Sequence, residues 1–288
     1  MILTEIKRTA EFIRLAESVE KSKKPIALFG LSGTARAAYI AALSRESGKT
    51  VLVLTKDERS ANRLLDDIGF FESDAQIFSP RDLMLRSVEG FSREYEYRRI
   101  RTLGNLVGKN TKIVIAPIEA AMMYTMPKEK FLQNTLTVKD TDSLDRDRFI
   151  QKLVNAGYTR RDTVEGAGQF AVRGDIIDLY TPDMPLPVRI ELWGDEIDRI
   201  NTFELDTQRR IDKIKKVHIS PVKEVLFTSC DEALSAIHDY RQTLAPRART
   251  VFDNATEKEI MTLESGVMPQ SMDKNISMCY KEKATVFD

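Results

Sequence analysis

Eight residues near the start of the chain, Gly30-Leu31-Ser32-Gly33-Thr34-Ala35-Arg36-Ala37, have the setting of a phosphate-binding loop of the G-x-x-x-x-G-K-[ST] type. They follow an apolar run and precede a helical pattern. The register fits only if Ala35, Arg36 and Ala37 stand where Gly, Lys and Ser/Thr belong. Ala35 adds a Cβ where backbone must approach phosphate closely. The planar Arg36 fork does not replace a compact Lys ammonium. Ala37 has no hydroxyl to ligate magnesium. Gly30 and Gly33 remain, and with them at most a weakened anion site at a helix N-terminus. The loop predicts no efficient ATP hydrolysis, and taken alone it reads rather as an unrelated strand-turn-helix with two glycines.

Other reactive residues are sparse. Cys230 and Cys279 lie far apart and form neither a disulfide framework nor a metal-ligand spacing, which fits a reducing cytoplasm. His218 and His238 are the only histidines, so a zinc site or a His-based triad is not expected. The acidic pairs Asp66-Asp67 and Asp195-Glu196 read as solvated. No catalytic residue and no metal site are predicted.

The 288 residues suffice for two or three domains, and 42% of them are hydrophobic, so a substantial core is expected. Lys and Arg total 44 and Asp and Glu total 44, a zero balance that leaves no whole-chain footprint for nucleic acid or an anionic membrane. No 18-residue apolar stretch is present. Residues 1–24 read as one amphipathic helix containing acids, unlike a secretory signal. The strand-like end, residues 284–288, reads as a cut inside a larger protein.

The elements that must position these residues follow from periodicity. Residues 26–29, 51–54 and 113–116 are short apolar runs suited to buried strands. Helices are expected near 35–46, with Gly48 as the stop, and over 93–106. Another is expected after Thr55, which precedes Glu58 by three residues in a capping-box pattern, with Ala61, Leu64, Leu65 and Ile68 on one face. Alternation of strand and helix predicts a parallel wound sheet. After Met126-Pro127 the character changes. Residues 144–155 form an amphipathic helix with Phe149, Ile150, Leu153 and Val154 inward, stopped by Gly157. Runs at 170–173, 176–180, 188–193 and 197–203, separated by Gly174-Asp175, residues 182–187 and Gly194-Asp195, read as strands and turns of an α+β domain. Trp193 reads as packing a hairpin. The expected division is 1–127, an α/β domain with the degenerate loop; 128–220, an inserted α+β domain; and 221–288, a return segment to the first.

The ordered string Gly157-Tyr158-Thr159-Arg160-Arg161, then Gly168-Gln169-Phe170-Ala171-Val172-Arg173-Gly174-Asp175-Ile176-Ile177-Asp178-Leu179-Tyr180, then Pro187-Val188-Arg189-Ile190-Glu191-Leu192-Trp193-Gly194-Asp195-Glu196-Ile197, resembles the N-terminal part of the UvrB family over residues 25 to about 225. UvrB has an intact phosphate loop and a long tyrosine-rich hairpin. This chain has neither the loop residues nor, in the interval 79–94, room for the hairpin. Both departures resemble the UvrB-like N-terminal module of transcription-repair coupling factors (Mfd), comprising UvrB-like domains 1a, 2 and part of 1b.

That resemblance implies a non-catalytic module recruiting UvrA to stalled RNA polymerase. RNA polymerase, DNA, ATP and magnesium would be handled by other domains of the parent protein. It carries the family's docking arginines onto Arg160 and Arg173. Ala171 stands where UvrB has a further arginine, so one contact is absent. Arg161, Phe170 and Tyr180 are nearby candidates. Arginine forks and aromatics are the residues that anchor interfaces. From strand alternation alone, Phe170 reads rather as core, and Arg160 and Arg161 as solvated loop charges. A docking module is expected to expose Arg160 and Arg173 on one face. The alternatives are a UvrB-like nucleotide-dependent helicase fragment, testable by ATP turnover, and a DNA-binding module, testable by salt-dependent duplex binding.

Overall fold

The computed structural model describes residues 2–22, 24–81, 93–269 and 272–288. The interval 79–94, read above as too short for a hairpin, lies largely outside the described residues. The chain forms two compact units, residues 1–80 with 102–123, and residues 81–101 with 124–288.

The first unit opens with α1 (Ile2–Arg8) and α2 (Ala10–Lys21), two helices where one was expected. Thr9 breaks them. Its hydroxyl bonds back to the Ile6 carbonyl and accepts from the Phe12 N–H, so the side chain competes with the helix and caps the next one. α3 (Gly33–Ser47) follows, ended by Gly48 at φ +63°, a conformation that favours glycine. β1 (Val51–Thr55) leads to α4 (Glu58–Gly69) and β2 (Ala75–Ile77). The cap of α4 is Asp57 rather than Thr55. The Asp57 carboxylate accepts from the Ser60 N–H at 2.7 Å, and Thr55 instead donates to the Asp57 carbonyl. α5 (Glu94–Val107) contributes residues 102–107 to this unit, and β3 (Ile113–Pro117) and α6 (Ile118–Met122) complete it.

The sheet has the order β1-β3-β2, all parallel. β3 is fully buried, as a central parallel strand should be. The alanines Ala37, Ala38, Ala41 and Ala42 of α3 are buried with Ala61, Leu64 and Ile68 of α4 and Ile113 and Ile115 of β3. β1 is only half-buried, with Leu54 exposed, contrary to the expectation of burial. Residues 26–29 are not a strand, and Phe29 is 87% exposed. Apolar content alone makes no ladder; among the described residues β1 pairs with β3 only.

The second unit begins with the start of α5 and resumes at α7 (Lys128–Gln133) and β4 (Leu136–Lys139). α8 (Arg146–Asn155) is capped by Asp145 and followed by Gly157 at φ +90°. Phe149 and Leu153 are buried, but Val154 is exposed, because it lies one step further round the helix than the Phe149–Leu153 stripe. A six-stranded sheet follows: β5 (Thr159–Arg160), β6 (Gln169–Arg173), β7 (Ile176–Tyr180), β8 (Val188–Trp193), β9 (Glu196–Phe203) and β10 (Arg210–Lys213), in the order β10-β9-β8-β7-β6-β5. Turns at Gly174-Asp175 and Gly194-Asp195 join its hairpins, as the sequence requires. β11 (Lys216–Ile219) pairs antiparallel with β4, closing the domain beside the strand that opened it.

The chain continues as α9 (Cys230–Thr243), α10 (Pro246–Glu264) and α11 (Ile276–Cys279). Residues 285–288 form a turn rather than the expected strand; only Ala284 bridges, to Thr125. Pairing ends there because the Asp288 carboxylate draws back the Thr285 N–H at 2.8 Å.

An ionic cluster is buried in this unit. The Glu224 carboxylate, 1% exposed, accepts from both Arg99 and Thr125 and pairs with Arg81 at 3.0 Å. Burial opposes ionisation of Glu224, but Arg81 and Arg99 outweigh it and hold its carboxyl far below the usual range. Nearby Glu96 is pushed the other way, to about 8, first by desolvation and then by Asp273.

Candidate protein-docking surface

Cross-strand register sorts the six-stranded sheet into two faces. Val172, Ile177, Ile190 and Ile200 form one row, and Phe170, Leu179 and Val188 another. All seven lie in or against the core that includes Phe149 and Leu153 of α8. The opposite face carries the rows Ala171-Asp178-Arg189-Asn201 and Arg173-Ile176-Glu191-Arg199. One face is hydrocarbon, the other largely charge.

At the centre of the charged face stands Asp178, buried to 1%. Arg189 grips it with two bonds, Nε to Oδ1 at 2.6 Å and Nη2 to Oδ2 at 2.9 Å. Arg173 reaches the same carboxylate from the neighbouring strand, Nη2 to Oδ2 at 2.6 Å. The Arg189 guanidinium also lies 4.7 Å from the Phe203 ring centroid, a cation–π distance. Hydrogen bonding to Asp178, set against desolvation, raises the pKa of Arg189. The carboxylate thus fixes the direction of Arg173 while leaving its side chain 48% exposed. A second acid, Glu191, pairs with Arg210 at 2.6 Å and Arg199 at 3.7 Å. Arg199 and Arg210 are also about half-exposed. Arg199 also pairs with Asp198 at 2.7 Å, so four arginines meet three carboxylates here.

The residues singled out in the sequence divide. Arg173 lies on the charged face. Arg160 is exposed, but its register partner is Phe170, so it belongs to the core-side row at the free edge of β5. The two arginines therefore do not share one face, contrary to expectation: Arg173 lies an odd number of residues from Phe170 and turns the other way. Arg161 is exposed, and its N–H donates to the Phe170 carbonyl at 2.8 Å. Phe170 is fully buried in the core and offers no docking surface. Tyr180 packs against the small cluster of Val164, Ala171 and Phe203 and donates to the Pro185 carbonyl at 3.0 Å. Trp193, expected to pack its hairpin, is 83% exposed, because it stands at the β8–β9 turn beyond the last core contact. Asp178 and Arg189 were not singled out. The signal was available: an acid in the middle of an otherwise apolar strand needs a cationic partner at the facing position.

In the first unit, Gly30 adopts φ +84° and Gly33 opens α3. Arg36 is exposed, Ala35 half-buried, and Ala37 fully buried in the alanine face. Among the described residues no group of three or more His, Cys, Asp or Glu is arranged to hold a metal, and no helix is long and apolar enough to cross a membrane.

Residues 136–225, the span from β4 to just past Glu224, match the UvrB interaction domain family. Over that span the chain is similar to the UvrB interaction domain. The charged face lies wholly within it. Over its full length the chain is also similar to the transcription-repair-coupling factor of Bacillus subtilis (strain 168), with 28% identity over 298 residues covering 100% of this chain and 25% of that protein. The corresponding proteins of Staphylococcus haemolyticus (strain JCSC1435) and Staphylococcus aureus (strain MRSA252) are each 28% identical, over 91% and 90% of this chain and 23% of theirs. The chain spans about a quarter of the length of these relatives. Outside the UvrB interaction domain, α9 and α10 are covered by the longest of these similarities and not by the family match.

Proposed function

We propose that this chain is the N-terminal UvrB-homology module of a transcription-repair-coupling factor, and that its UvrB interaction domain docks UvrA through the charged sheet face. The observation that carries the reading is Arg173, half-exposed yet aimed by a buried carboxylate. A guanidinium already held in direction loses less freedom on binding than a free surface arginine, and its fork suits carboxylates on a partner. Arg160 stands at the edge of the same sheet but in the opposite row, and Tyr180 borders the charged face.

The module acts by binding rather than by catalysis. Ala37 supplies no magnesium ligand and packs into the core, and Arg36 stands in solvent, which supports a degenerate phosphate loop. ATP-dependent DNA translocation and contacts with RNA polymerase and DNA belong to other parts of the parent protein, in the cytoplasm. The decisive experiment is a titration of the folded chain with UvrA, alongside Arg173→Ala and the Arg173→Ala/Arg160→Ala double variant. The reading expects binding to weaken by about 2 kcal/mol or more, the loss of a hot spot. Tight binding that ignores both changes would remove the site; no binding by a well-folded chain would remove the function.

A further inference from the structure

One large aromatic on the charged face takes no part in the core. Trp193 is the only tryptophan in the chain, and it is 83% exposed. Along β8, Val188, Ile190 and Leu192 turn into the core, so Arg189, Glu191 and Trp193 project from the opposite side. The register irregularity between β8 and β9 leaves this alternation intact, because the extra residue, Asp198, belongs to β9. Among the described residues the indole makes no hydrogen bond, ring stack or cation–π contact.

The backbone beneath the ring is held from two sides. The Asp195 carbonyl accepts from the Leu144 N–H at 2.7 Å and from the Ser143 hydroxyl at 3.1 Å. The Leu192 N–H donates to the Asp175 carbonyl at 2.8 Å. Gly194, at φ +60°, lets the two-residue turn after Trp193 close. The ring is free while its base is fixed. A large side chain with two rotatable bonds on a fixed base loses little freedom when a partner covers it.

We propose that Trp193 is the apolar anchor of the docking face, received by UvrA in an apolar socket with a hydrogen-bond acceptor at its rim for the indole N–H. That role rests on the docking of UvrA to this face, proposed above. Strands about 4.8 Å apart and a rise of about 3.4 Å per residue put the Cα atoms of Trp193 and Arg173 about 12 Å apart. That span lies well inside the roughly 800 Å² that one partner covers. Tryptophan and arginine are enriched at the energetic centres of interfaces, and this face offers a tryptophan held at its base and an arginine held at its tip. The face supplies no such socket to a second copy of itself, because the side chains exposed beside Trp193 on β9, Glu196, Asp198 and Arg199, are charged.

The test replaces Trp193 by 5-hydroxytryptophan, which is excited at wavelengths where the ordinary tryptophans of a partner do not absorb. The full chain is titrated with UvrA, binding is followed separately by calorimetry, and acrylamide quenching reads access to the ring. Acrylamide should quench the free chain strongly, and UvrA should protect it. Trp193→Ala should weaken UvrA binding at least about tenfold, and Trp193→Phe less. Its urea midpoint should stay near that of the unchanged chain, since the ring is solvated. Phe70→Ala, which removes an equally exposed aromatic from the first unit, should leave binding unchanged. UvrA binding that needs Arg173 but leaves the ring open to acrylamide, or ignores Trp193→Ala, overturns the anchor and leaves the docking reading standing. The anchor is also overturned if Phe70→Ala weakens binding as much, or if protection appears on concentrating the chain alone, which would assign the ring to a second copy. No UvrA binding by the folded chain removes the docking reading and the anchor together.

Discussion

Two carboxylates in this protein each hold two arginines, with opposite consequences. Glu224 and its partners Arg81 and Arg99 are 1%, 7% and 0% exposed, so all three charges are shut away from solvent. Asp178 is as deeply buried, but Arg173 leaves nearly half of its side chain in solvent. The closed cluster spends its charge on internal order. The open one retains a cation that is both directed and available. Charge type and pairing are the same; access to solvent separates the closed group from the one proposed for docking.

The sharpest way to break that comparison is Glu224→Gln, which keeps the shape and strands two buried guanidinium groups. We expect a loss of about 3–5 kcal/mol of stability, read by urea unfolding. A loss below about 1 kcal/mol would mean that the closed cluster is not the structural member of the pair. Arg173→Ala should do the reverse: about 2 kcal/mol from UvrA docking and no more than about 1 kcal/mol from folding, because its ion pair is half-solvated. Asp178→Asn falls between. It should cost about 1–3 kcal/mol of stability through Arg189, and should weaken docking although Arg173 itself is intact, since its direction is lost. If docking is unchanged, preorganisation is not what Arg173 contributes.

The remaining expected effects are those of pH. Glu224 has a folded pKa below its ordinary value of 4.5, so its contribution is present above that value and fades as pH falls toward the folded one. Glu96 is raised to about 8, so it contributes in the opposite sense. Between 4.5 and 8 the folded state binds more protons there than the unfolded chain, and stability declines as pH rises through that window. Glu96→Gln should flatten that decline in denaturant titrations at fixed pH. An unchanged slope would place the proton elsewhere.

Much of the second unit was legible in the sequence because its turns are spelled out. Gly174-Asp175 and Gly194-Asp195 fix the hairpins, and alternation then assigns Phe170 and Val172 to one face and Arg173 to the other. Periodicity could not supply the ladder between strands. That is why Asp178 and Arg189 escaped notice, and why Arg160 was grouped with Arg173 although its register partner is Phe170. In the first unit, the apolar runs at 26–29 and 113–116 look alike, yet only the second became a strand. Burial depends on neighbours found in space, and four apolar residues carry no record of them. The Glu224 cluster was invisible for the same reason: its partners come from positions 81, 99 and 125.

The pairing of β4 with β11 has a mechanical consequence. Leu136 lies opposite Ile219 and Lys139 opposite Lys216, so both flanks of the domain leave from the same end of this two-stranded ribbon. Tension applied through those flanks would load its hydrogen bonds one after another instead of all at once. The ribbon would unzip before the six-stranded sheet was sheared. The hydrogen bond from Thr125 to Glu224, joining residues that precede β4 and follow β11, sits across that opening as its clasp.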